Sequence, residues 1–221
     1  MELFNIIPPE IKNDDFYYHI IDLLSDNTIK TILELGASSG DGSTEAFISG
    51  IKNNNLDCML FSIEPSIERF KLLKDRYTDK RFYPINAASV DLSEFMTIDE
   101  ITTFYNTTNT KINNFDINLV HTWLQEDITY IEKNNIRTGI IEDIKKNKNI
   151  EFFDVVLIDS SAFTGFAELE HIYGAKYIIL DDINDIKNYN SYNKLIADSK
   201  YILLYENLTL RNGFCIFKLN S

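Results

Sequence analysis

Short apolar runs alternate along this chain with stretches in which apolar side chains return every three or four residues. "TILELG", "CMLFSIEPS", "FFDVVLIDS" and "KYIILDD" read as strands. The last two are so continuously apolar that both of their faces are expected to be covered. "RFYPINAAS" reads as a short third strand interrupted by Pro84. Helical spacing marks "DGSTEAFISGIKN", "SIERFKLLKDRY", "GFAELEHIYG" and "NSYNKLIADS", and in "DDFYYHIIDLLSD" it sets Phe16, Ile20, Leu23 and Leu24 on one face. Strands that alternate with helices predict an α/β domain with a parallel sheet wound by right-handed crossovers. The tail "KYILLYENLTLRNGFCIFKLN" departs from that rule. Its two strand-like runs flank a turn at Asn207 to Gly213, which predicts an antiparallel hairpin.

Between Asp91 and about Glu151 the alternation stops, over a span too long for a crossover loop. "TIDE" is a capping-box pattern formed by Thr97 and Glu100. Further on, Leu119, Trp123, Ile128 and Ile131 recur at roughly helical spacing. Residues 91–151 are therefore expected to form a helical insertion, either packed on the core or serving as a lid. Residues 1–30 are expected to be an N-terminal helical segment of the same single domain, 1–221.

A chain of 221 residues suits one well-cored domain. Its net charge of −13, with no basic cluster beyond short runs such as Lys145-Lys146, speaks against DNA or RNA as partner. Cys58 and Cys215 sit in apolar runs and are expected to be buried, reduced thiols. The N-terminal "MELFNIIPPEIKNDD" lacks the basic-then-apolar pattern of a signal peptide. No apolar run approaches the ~20 residues of a membrane span. A soluble, cytoplasmic protein is expected.

The most informative stretch is "TILELGASSGDGST", an apolar run that ends on a carboxylate and breaks into glycine and serine. Followed directly by a helix, such a loop lies at the carboxyl edge of a parallel sheet, where doubly wound folds bind ligands. Glycine lets backbone N–H groups approach a ligand, and the helix start adds its own. A dinucleotide fingerprint fails here, because Ser38 and Asp41 stand at its second and third glycine positions. Glu34, Gly36, Ser38 and Gly40 instead make an acid-x-G-x-G-x-G pattern with serine at the middle glycine. Glu64 ends the second strand 24 residues beyond Gly40, where a carboxylate can accept both hydroxyls of a ribose.

These residues resemble motif I and the ribose acid of the class I S-adenosylmethionine-dependent methyltransferases, from roughly Thr31 to Leu219 outside the insertion. The resemblance implies a Rossmann-like, doubly wound, mostly parallel seven-stranded sheet with a C-terminal antiparallel hairpin and a helical insertion. It also implies S-adenosylmethionine as cofactor. Glu34 would orient the loop, Gly36, Ser38 and Gly40 would approach the methionine portion, and Glu64 the ribose. "INAAS" stands where the family's adenine-contacting loop would be, so Ala87 and Ala88 would offer backbone or apolar contacts.

Methyl transfer requires the protein to align acceptor and methyl group and to handle the acceptor's proton. The fourth and fifth strands end in "LIDSSAF" and "IILDDIND", which bring Asp159, Asp181 and Asp182 to that edge as catalytic candidates. Three carboxylates repel one another unless something positive neutralises them, and hard divalent cations prefer oxygen ligands. A magnesium-binding subset of small-molecule O-methyltransferases in the family implies Asp159, Asp181 and Asp182 as metal ligands, with Asn184 as an outer helper. Alternatively, Asp182 caps a turn and Asp181 is solvated. His171 is a candidate base or a helix-surface residue. His121 is a candidate for the acceptor pocket or for core packing, and His19 is structural.

"DSSAFTGFAELEH", "AKYIILDDIND" and "RNGFCIF" are also similar to bacterial methyltransferases of surface-polysaccharide and sugar modification. That likeness implies a small, sugar-like acceptor, a sugar or nucleotide-sugar hydroxyl, methylated on oxygen in polysaccharide biosynthesis. N-methylation of a small molecule and a non-catalytic interaction module are the competing readings. Oligomeric state stays open.

Overall fold

The apolar runs fold as β1 (Thr31–Leu35), β2 (Met59–Ile63), β3 (Phe82–Ile85), β4 (Val155–Ile158) and β5 (Tyr177–Asp181). The tail forms β6 (Tyr201–Asn207) and β7 (Phe214–Leu219). This is a computed structural model, and it describes residues 3, 5, 6 and 8–220. One seven-stranded sheet has the order β3-β2-β1-β4-β5-β7-β6, parallel from β3 to β5 and antiparallel at β7 and β6. The sheet therefore has the predicted class. Pro84 does not interrupt β3 but pairs in register with Ser62. It is tolerated because β3 is an edge strand, where a missing ladder N–H costs little.

Strand residues alternate between two cores. Leu33, Leu35, Val156, Ile158, Ile178 and Leu180 face one side, and Ile32, Val155, Leu157, Tyr177 and Ile179 the other. Each fully buried aliphatic side chain of this kind stabilises by about 1.5–3 kcal/mol. The second side is covered by α1 (Asp15–Leu23) and α2 (Ser43–Asn53), with Leu73 of α3 (Ile67–Arg76) beside them. Phe16, Tyr17, Ile20 and Leu24 carry the contact of the first helical segment, whereas Leu23 is only partly covered.

The insertion is helical, with α4 (Ile98–Thr107), α5 (Ile117–Lys133) and α6 (Ile140–Lys148), and it packs on the first side with α7 (Gly165–Ile172) and α8 (Tyr189–Ala197). The Thr97–Glu100 capping box forms as expected, with Thr97 N–H donating to Glu100 at 2.7 Å and Glu100 N–H to Thr97 at 3.2 Å. The buried stripe of α5 is Val120, Leu124 and Ile131. Leu119, predicted to share that face, is 44% exposed. Ile131 is buried as expected, Trp123 and Ile128 pack partly buried against the same core, and Trp123, Asp127 and Ile131 also wall a cavity.

Among the described residues no helix is long and apolar enough to cross a membrane. Cys58 and Cys215 are buried free thiols.

Candidate active site at the carboxyl edge of the sheet

In this strand order the chain leaves β1 toward β2 on one side, while β4 lies on the other. Their carboxyl ends form the switch point at which open α/β sheets bind ligands. Gly36 sits there with φ +90°, and a Cβ on it would lie 2.1 Å from the Asp159 carbonyl oxygen. The glycine is thus required by contact between two strand ends. Ser38 (φ +50°) and Gly40 (φ +81°) complete the turn, closed by Tyr77 donating to the Gly40 carbonyl at 2.5 Å.

Two buried glutamates hold the loops. Glu34 lies beneath the cavity and accepts from Ser43 (2.7 Å), Thr44 (2.8 Å) and Ser62 (2.5 Å). It thereby ties β1 to the start of α2 and to β2. Burial pushes its carboxyl above the usual range, against those three donors. Glu168, on α7, accepts from Ser89, Ser160 and Thr164 through a single oxygen, Oε1, and it joins the loops after β3 and β4.

Glu64 faces the cavity itself. Its Oε2 accepts the Ser38 N–H and its Oε1 the Ser66 N–H, each at 2.8 Å, so one side chain spans the loops after β1 and β2. Burial pushes it up to about 7 despite both backbone donors. Each oxygen keeps a second lone pair for a ligand hydroxyl.

Asp159, Asp181 and Asp182 converge, one oxygen of each lying within 4.8 Å of the others. Consecutive strand residues normally face opposite ways. The left-handed φ of +55° at Asp182 turns the chain so that Asp181 and Asp182 both reach the cluster. The positive charge the cluster needs comes from the chain itself. The Lys187 ammonium lies 2.7 Å from Asp159 Oδ1 and 2.6 Å from Asp182 Oδ2. Arg211 donates to Asp181 at 3.0 Å and also pairs with Asp14. Burial pushes Asp159 up to about 6 against the pull of Lys187. Burial also raises Asp181 well above its ordinary value, with Asp159 and Asp182 adding to the effect. For Asp182 the attraction of Lys187 outweighs burial and holds it low. Burial opposes the charge on Lys187, yet the three carboxylates outweigh it and keep the amine firmly protonated.

The predicted magnesium ion does not fit this arrangement. Its ligand distance of about 2.1 Å would put it in the space the ammonium fills between Asp159 and Asp182. Asn184, expected as an outer helper, does not line the cavity. Its amide donates to the Leu208 carbonyl at 2.8 Å and braces the β6–β7 turn.

One cavity of about 560 Å³ joins these parts, a size within the range of small-ligand pockets. Gly36, Ser38, Glu64, Ala88, Asp159, Asp181 and Asp182 line it. Glu34, Gly40 and Ala87 do not. Beyond the glycine loop the wall is Phe95, Ile112, Phe115 and Trp123, with Phe115 edge-on to Trp123 at 5.0 Å. Asp127, nine-tenths buried, accepts from Ser161 at 2.7 Å through one oxygen, and burial pushes it up to about 6.

The histidines lie elsewhere. His171 is held between Glu94 (2.6 Å) and Glu142 (2.9 Å), His121 contacts Thr102, and His19 packs on Tyr205 at a tilt of 38°. Sequence reasoning missed Lys187, Arg211 and Asp127. Each stands in a loop or on a helix with no local pattern, and only the charge imbalance of three converging acids hinted that a cation was needed.

No family model matches the sequence, and no curated protein does. Solved structures do match by shape. An O-methyltransferase from Bacillus cereus in complex with SAH superposes with TM-score 0.56 at 13% identity, covering 96% of this chain and 84% of that one. The SAH-bound Podospora anserina methyltransferase PaMTH1 gives 0.53 at 12%, covering 96% and 81%. Cofactor-bound Rv0187 from MTB gives 0.59 at 11%, covering 96% and 83%. The chain has the Rossmann-like fold of these methyltransferases.

Proposed function

We propose that this chain is an S-adenosylmethionine-dependent methyltransferase that methylates a hydroxyl of a small, uncharged, sugar-like acceptor. The observation that carries the reading is the single cavity in which Glu64 and the Gly36–Ser38 loop meet the Asp159 cluster. The residues suit the cofactor: Glu64 for the ribose diol, Ser38 and Gly36 for the close approach of the methionine portion, and Ala88 for an apolar base contact. When bound, the cofactor supplies a methyl group activated on sulfur. The protein's part is to align that group with the acceptor oxygen, worth up to ~7–11 kcal/mol.

The lining also bears on the acceptor. Among the described residues that line the cavity, Glu10, Asp41, Glu64, Asp127, Asp159, Asp181, Asp182 and Asp185 outnumber the cationic Arg69 and Lys187. Carboxylates accept hydroxyl hydrogens, and the faces of Trp123 and Phe115 suit a sugar ring. A nucleotide sugar would bring its diphosphate against this acidic wall, so the free sugar or a neutral glycan is the better substrate class.

Isothermal titration with S-adenosylmethionine tests the reading, followed by transfer of a tritiated methyl group to a panel of neutral sugars and nucleotide sugars. Micromolar binding and label on the neutral sugars are expected. Absence of binding at millimolar cofactor overturns the proposal and favours the interaction module.

A further inference from the structure

The acidic cluster has the donor set of a cation site, yet a side chain already stands in it. Lys187 is five residues past Asp182, in the loop that leads into α8. Only 12% of its side chain is exposed, and its ammonium bridges Asp159 and Asp182 at 2.7 and 2.6 Å. These are hydrogen-bond lengths, so the nitrogen occupies the gap between the two carboxylates rather than hovering outside it. The third acid is spoken for as well, since Asp181 takes the Arg211 guanidinium at 3.0 Å. A divalent ion would have to expel the ammonium and leave a buried charge without its partners, which is strongly unfavourable.

We propose that Lys187 is the resident cation of this site, standing between Asp159 and Asp182 where a divalent ion would bind and holding the acceptor oxygen in its stead. An ammonium has three N–H donors. Two go to Asp159 and Asp182, and Lys187 lines the cavity, so the third is available to the acceptor hydroxyl. Lys187 stays protonated throughout. In the transfer the acceptor's O–CH3 bond forms, the cofactor's S–CH3 bond breaks with its electron pair going to sulfur, and the hydroxyl proton leaves to water. The ammonium stabilises the negative charge that develops on the oxygen. This role rests on the proposed methyl transfer, whereas the exclusion of metal does not.

The test is manganese binding, followed by electron paramagnetic resonance and calorimetry on metal-stripped protein. The wild type is expected to bind no Mn²⁺ below millimolar concentration. Lys187→Ala, which empties the gap, should bind it at least tenfold more tightly, whereas Lys187→Arg, which keeps the charge, should not. Should Lys187→Ala fail to fold, Lys187→Gln takes its place, and the wild-type titration decides independently. Micromolar Mn²⁺ binding by the wild type, or no gain on removing the charge from a folded variant, overturns the proposal. Cofactor titration on the same samples separates the two readings. If S-adenosylmethionine does not bind, the methyltransferase reading falls, while the manganese result still decides whether Lys187 closes the cluster.

Discussion

Replacing Glu64 by glutamine probes the nucleoside end of the cavity with two opposing effects that can be weighed. The carboxylate accepts Ser38 N–H with one oxygen and Ser66 N–H with the other, each at 2.8 Å. An amide has a single acceptor oxygen, so one buried N–H would meet an NH2 group and lose its partner. That loss costs about 1–3 kcal/mol of stability. Against it, burial raises the Glu64 carboxyl from 4.5 to about 7, so at pH 8 the folded protein holds a buried anion. Removing that charge returns roughly 3 kcal/mol, the worth of such a shift at 1.36 kcal/mol per unit. The two terms nearly cancel, and the melting temperature at pH 8 should move little.

Cofactor binding has no such compensation. A ribose diol would lose one hydrogen bond outright and the charge assistance of the other, when hydrogen bonds to charged groups are worth about 1.5–3 kcal/mol. The expected weakening is ~10- to 100-fold in Kd for S-adenosylmethionine, measured by titration calorimetry at pH 8 beside a melting curve. A folded variant that binds within twofold of the wild type would refute the assignment of Glu64 to the ribose.

Two further outcomes concern the frame around the site. Gly36→Ala puts a Cβ 2.1 Å from the Asp159 carbonyl oxygen at φ +90°, and should cost about 2–5 kcal/mol in urea denaturation through overpacking and left-handed strain; a loss under about 1 kcal/mol would show that the strand ends can part. For His171, burial disfavours the charged ring but Glu142 and Glu94 outweigh it, so its folded pKa stands above 6.5. A raised value means that its stabilising contribution is complete below pH 6.5 and is lost as pH rises through the folded pKa. The melting-temperature gap between wild type and His171→Gln should therefore shrink from pH 6 to pH 9, and a gap that stays constant would contradict the pairing.

Strands, helices and the glycine turn were legible in the sequence because their causes are local. Alternation at period two, apolar return at 3.6 residues, a capping box at Thr97 and glycines at positive φ each act within a few residues. For the same reason Glu34, Gly36 and Glu64 could be picked out from strand ends alone. The partners that give these groups their chemistry could not. Lys187 meets Asp159 across 28 residues, and Arg211 links Asp181 to Asp14, 197 residues away. Asp127 lies among the buried residues of α5 and meets Ser161 across 34 residues. Sequence pattern thus determined which carboxylates arrive at the edge of the sheet. Whether they meet a metal ion or an ammonium depends on which cation the folded chain delivers between them, and that is a property of through-space packing that no local pattern encodes.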